Sequence, residues 1–98
     1  MNLSEKQRRH LKGLAHPLKP VILMGNAGLS PAVISETDNA LTHHELIKVR
    51  LPGLPRSERD AALAELARGT GSALVTRIGH VAVLYRPHPD LPRIVLPA

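Results

Sequence analysis

The 98-residue sequence has no cysteine, no tryptophan and no phenylalanine. Without cysteine there can be no disulfide, no thiolate nucleophile and no cysteine-containing zinc or iron–sulfur site. Tyr85 is the only aromatic ring apart from the six histidines, so a platform for stacking successive bases is excluded. No uncharged apolar run reaches the roughly 18 residues of a membrane span. The best candidate, from Pro20 to Ser35, is broken by Gly25, Asn26, Gly28, Ser30 and Pro31. The charged opening, Met1-Asn2-Leu3-Ser4-Glu5-Lys6, does not read as a secretory signal, so the expected compartment is the cytoplasm. Gly-x-Ser-x-Gly, a Walker lysine and His-Glu-x-x-His are all missing, and Glu36, Asp38 and Glu45 are placed on helix surfaces. No enzyme, cofactor or small-molecule substrate is expected. His43 and His44 are adjacent and His10 and His16 are six apart, so no i,i+4 metal pair exists and no metal site is expected.

What is present is a chain of one-domain size, 43% apolar and 21% charged, close to globular averages despite nine prolines. A monomer is the default. Thirteen Lys and Arg against eight Asp and Glu leave a net charge of +5, which favours a polyanionic partner. The charge is polarised, because residues 1–28 hold Lys6, Arg8, Arg9, Lys12 and Lys19 against Glu5 alone.

Hydrophobic period and capping residues give an order of helix, strand, helix, strand, helix, strand, strand. Ser4 and Gln7 form a capping box for a first helix in which Leu11, Leu14 and Ala15 share one face and Lys6, Arg8, Arg9 and Lys12 fan across the opposite side. Pro17 and Pro20 end it. Val21 to Met24 is a short, wholly apolar run, which predicts a strand covered on both faces. Ser30-Pro31 opens a second helix that ends around Thr42 or His43. Leu46 to Leu51 alternates, placing Lys48 and Arg50 on one face of a half-buried strand. A third helix begins at Ser57 and stops at Gly69, and Ala73–Ile78 and Val81–Tyr85 form a hairpin around Gly79-His80. The expected fold is an α/β two-layer sandwich on a four-stranded mixed sheet, with a domain over residues 1–86 and a Pro-rich tail over 87–98. The tail, with Ile94-Val95-Leu96 between prolines, either docks in extended form or stays mobile.

The feature that carries chemistry is Gly25-Asn26-Ala27-Gly28, between a strand and a capped helix start. Glycines let backbone approach a ligand closely, and the following helix offers unpaired N–H groups and partial positive charge, so the turn suits phosphate. A plain strand-to-helix turn would have the same spacing. The nearby surplus of charge favours the phosphate reading.

The run Leu11-Lys12-Gly13-Leu14-Ala15-His16-Pro17-Leu18-Lys19-Pro20, the loop Gly25 to Leu29, His43-His44-Glu45-Leu46-Ile47-Lys48-Val49, Gly69-x-Gly71 and Val83-Leu84-Tyr85-Arg86 together resemble the small bacterial CRM-domain proteins of the YhbY type (chloroplast RNA splicing and ribosome maturation). The resemblance runs from about Leu3 to Tyr85. It implies a fold similar to the C-terminal domain of bacterial translation initiation factor three, and binding to ribosomal RNA in precursor large subunits. On this sequence the family's glycine loop falls on Gly25, Asn26, Ala27 and Gly28, and the neighbouring basic surface on Lys6, Arg9, Lys12, Lys19, Lys48 and Arg50. Some family members carry Lys or Arg between the glycines, where this chain has neutral Asn26 and Ala27. The alternative is a protein-interaction module that docks through its apolar tail or a sheet edge.

Overall fold

The computed structural model describes all 98 residues. Its elements follow the expected order: α1 (Glu5–Ala15), β1 (Pro20–Leu23), α2 (Pro31–His44), β2 (Leu46–Arg50), α3 (Arg56–Thr70), β3 (Ala73–Ile78) and β4 (Val81–Tyr85). Two helix starts are built as their sequences predict. Ser4 Oγ accepts from the Gln7 N–H at 3.1 Å and Gln7 Oε1 accepts from the Ser4 N–H at 3.0 Å, which satisfies two otherwise orphaned donors. Ser30 Oγ accepts from the Val33 N–H at 3.2 Å, with Pro31 in the first turn.

The third helix departs from expectation at both ends. It starts at Arg56 behind Pro55, which offers no side-chain cap, and Ser57 lies inside the first turn. It ends at Gly71, not Gly69, because only Gly71 takes the left-handed conformation (φ +64°) that terminates a helix. Gly69 stays helical and faces α2, where the Ile34 side chain lies 3.6 Å from the position a Cβ would occupy.

The sheet order is β1-β2-β4-β3, with β1 parallel to β2 and both other pairs antiparallel. The mixed sheet is as expected. The β1–α2–β2 unit joins neighbouring parallel strands. The β2–α3–β3 unit does not, because β4 folds back into the gap between them. The expectation that the Val21–Met24 run is covered on both faces fails. β1 is an edge strand in which Ile22 is buried, as is Met24 just beyond it, while Val21 and Leu23 are 52% and 67% exposed. An unbroken apolar run carries no information about which face lacks a cover.

One face of the sheet packs on α2 and α3 through Ile22, Ile47, Val49, Ala82 and Leu84 against Leu41, Leu63 and Leu66. This is the principal sandwich. On the opposite face α1 adds a partial layer, burying Leu11 and Ala15 against Leu46, Val75, Val83 and Tyr85. Of the two tail alternatives, docking is realised. Ile94 and Leu96 pack against this second cluster and Gln7 Nε2 donates to the Pro97 carbonyl at 3.1 Å. The radius of gyration, 12.7 Å with the tail included, is close to the roughly 13 Å of a compact domain of about 100 residues.

Candidate nucleic-acid interface

The turn after β1 is closed by the Gly28 N–H, which donates to the Gly25 carbonyl at 2.9 Å, and Gly28 holds φ +80°. Gly25, Asn26 and Ala27 are exposed. A Cβ added at Gly25 or Gly28 would meet no atom within 4 Å, so the turn is not plugged by the protein's own chain. The N–H groups of Gly25, Asn26 and Ala27 have no partner within the protein. Together with the first turn of α2 they offer donors to an anion.

Arg50 is the cation nearest in register to this loop. It pairs across the sheet with Leu23, its carbonyl accepts from the Met24 N–H at 2.9 Å, and its side chain is exposed. Two residues back on the same face is Lys48, half-buried. Its Nζ donates to the carbonyls of His16 at 3.2 Å and Leu18 at 2.9 Å. Lys48 therefore ties the α1–β1 connector to the sheet as well as contributing charge. Lys12 borders the same surface depression as Lys48. Lys12, Lys48 and Arg50 thus follow one another on the α1 side of the sheet, with Arg50 at the end where the loop leaves β1.

The remaining candidates lie apart from it. Lys6 and Arg9 are exposed on α1, where helical geometry turns them away from the sheet. Lys19 lines a separate apolar cleft with Leu14, Leu18 and Val21. Arg8, expected in the outer stripe, turns inward and donates to the Leu74 and Val75 carbonyls at 2.5 and 3.0 Å. Every carboxylate ion pair uses an arginine from Arg56 onward. Lys6, Arg9, Lys12, Lys19, Lys48 and Arg50 are therefore uncompensated, and their fields add at low ionic strength.

Sequence reasoning missed the residues that hold the tail. Glu45, expected on a helix surface, is wholly buried. Its φ of +63° and ψ of −45° lie near the strained mirror-image γ-turn region. This bend ends α2 and turns the side chain inward. The carboxylate accepts from the backbone N–H groups of His88 at 2.7 Å, Arg93 at 2.9 Å and Ile94 at 3.0 Å. Burial alone would raise its pKa. The three N–H groups and the Arg93 charge outweigh burial and hold the group below its ordinary value. Tyr85 is pushed the other way, by burial first and the Glu45 charge second, and its buried ring has no free face for a base. Asp38 lies exposed on the surface of α2, as expected, and pairs there with Arg86 at 2.5 Å; Arg86 further donates to the Thr70 carbonyl at 2.7 Å and Thr42 Oγ1 at 2.9 Å. No local pattern signals these contacts, since the partners lie 16 to 49 residues apart.

Comparison with known proteins agrees with this architecture. The family model described as the CRS1/YhbY (CRM) domain matches residues 3–86. A Haemophilus influenzae protein named an RNA-binding protein is 47% identical over 97% of this chain and 95% of its own. A Pseudomonas aeruginosa protein named a probable RNA-binding protein is 42% identical over 91% of this chain and 86% of its own. The solution structure of a Staphylococcus aureus protein described as hypothetical superposes with a TM-score of 0.85 at 33% identity, covering 98% of this chain and all of that one.

Proposed function

Because the chain belongs to the CRS1/YhbY (CRM) domain family, we propose that it is a non-catalytic RNA-binding protein that grips sugar-phosphate backbone with the Gly25–Gly28 loop and the cations beside it. Its RNA is ribosomal, in precursors of the large subunit. The observation that carries this reading is the pairing of an open turn, three of whose N–H groups lack partners, with a tract of lysines and arginines that no carboxylate neutralises. Backbone donors and point charges recognise phosphate whatever the base. With Tyr85 buried the only rings left to meet a base are histidines, so affinity comes mainly from phosphate contacts and falls steeply with salt. The relatives' names support RNA as the ligand class.

Ala27→Asp tests the loop more cleanly than a change at Gly28, where φ +80° would strain any side chain. The variant should keep its thermal stability, lose most affinity for large-subunit ribosomal RNA and no longer sediment with precursor large subunits. Unchanged affinity at fixed salt would remove the loop from the interface.

A further inference from the structure

Of the six arginines from Arg56 onward, five face a carboxylate: Arg56 and Arg77 share Asp60, Arg68 faces Glu65, Arg86 faces Asp38 and Arg93 faces Glu45. Arg59, on α3, has none. Its Nη1 lies 3.0 Å from Nδ1 and 3.3 Å from Nε2 of His80. These two ring nitrogens flank one carbon and point away from each other, so a single donor can be in line with at most one of them. Arg59 Nε is shielded and has no partner at all. A guanidinium presents five donors in a planar fork, and here most of them are unmatched.

His80 sits in the β3–β4 turn, where its carbonyl accepts from the Leu51 N–H at 2.6 Å. Arg50 pairs with Leu23 on one side and Val81 on the other. The glycine loop, Arg50, His80 and Arg59 therefore follow one another along the same end of the sheet. At roughly 4.8 Å between strands, the step from β1 to β4 is about 10 Å, a distance that a few nucleotides can bridge. Asp60 does not compete, because Arg77 and Arg56 occupy it.

We propose that Arg59 and His80 form a second phosphodiester site, which takes up RNA backbone continuing from the glycine loop past Arg50. The guanidinium exchanges its poorly aligned contact with His80 for two parallel bonds to phosphate oxygens, and the imidazole N–H donates to the same group. The inference rests on the RNA reading above but uses residues outside that site.

The test titrates fluorescently labelled fragments of large-subunit ribosomal RNA at several salt concentrations with wild type, Arg59→Gln, Arg59→Lys and Ala27→Asp. Arg59→Gln should bind several-fold more weakly, with the slope of log affinity against log salt reduced by about 0.7 to 0.9, the value for one lost phosphate contact. Arg59→Lys should keep the slope while losing affinity with the fork. If Ala27→Asp weakens binding and Arg59→Gln changes neither affinity nor slope, the second site is wrong and the loop reading stands. If Arg59→Gln has its predicted effect and Ala27→Asp has none, the loop reading fails and the second site survives. A fall in affinity of Arg59→Gln without a change of slope, or an equal slope loss in Arg59→Lys, would show a structural effect and overturn the proposal.

Discussion

Replacing Glu45 by glutamine keeps the size of the side chain and removes one acceptor from the clamp on the tail. In the native carboxylate one oxygen serves the Arg93 and Ile94 N–H groups and the other serves His88. The glutamine oxygen can satisfy the first pair, but its NH2 then points donor-to-donor at the His88 N–H. A buried donor left without an acceptor costs about 1–3 kcal/mol. If the loss is felt globally, a domain of this size should melt at least about 4 °C lower. If it is confined to the tail, the amides of His88, Arg93 and Ile94 should exchange faster at unchanged Tm. Thermal unfolding and amide hydrogen exchange at neutral pH separate these cases. The pH dependence has a defined sign. A carboxylate depressed in the folded state contributes its full stability above the unfolded value and loses it as pH falls through the folded value. The gap between wild type and Glu45→Gln should therefore be constant above about pH 4.5 and shrink on acidification. Equal Tm and equal exchange at neutral pH, or a gap that widens in acid, would refute the clamp.

Asn26→Lys should strengthen RNA binding several-fold and steepen its salt dependence by about 0.7 to 0.9 in slope, read by anisotropy titration, because it places a cation between the glycines of an open turn. Charge reversal at Lys12 should weaken binding and flatten the same slope, whereas reversal at Lys19, which lies in a separate apolar cleft, should do so less. Gly69→Ala should be neutral or stabilise by up to about 1 kcal/mol in chemical denaturation, since Gly69 is helical with only an ordinary contact to Ile34. Gly71→Ala should destabilise by about 1 kcal/mol, since its φ is +64°. Deleting residues 87–98 should lower Tm by more than the Glu45 substitution, because it also uncovers the cluster that Ile94 and Leu96 pack against.

Element order and two helix caps were legible because they depend on local chemistry. Ser4 with Gln7, and Ser30 before Pro31, specify their own hydrogen bonds within three residues. The loop and the exposure of Lys12 were likewise open to period and spacing, whereas the face shared by Lys48 and Arg50 could by sequence equally have met a helix. Strand position was not, since Val21–Met24 reads the same in the centre of a sheet as at its edge. Gly69 and Gly71 are equally good stops by residue type, and only the backbone decides between them. Arg8 shares its helix with Lys6, Arg9 and Lys12, and its inward turn depends on two β3 carbonyls 66 and 67 residues away. Glu45 is the furthest from sequence reasoning. A charged residue at a helix end is ordinarily solvated, and its burial needs three backbone donors from the tail.

In the proposed complex the loop amides and the cations beside them meet RNA. Amide chemical shifts of uniformly labelled protein, followed as large-subunit ribosomal RNA fragments are added, test it most directly. The largest changes should fall at Gly25 to Gly28, at the start of α2 and at Arg50, weakening together as salt is raised. Changes confined to the tail or to the outer surfaces of α2 and α3, with the glycine loop unmoved at saturation, would contradict it.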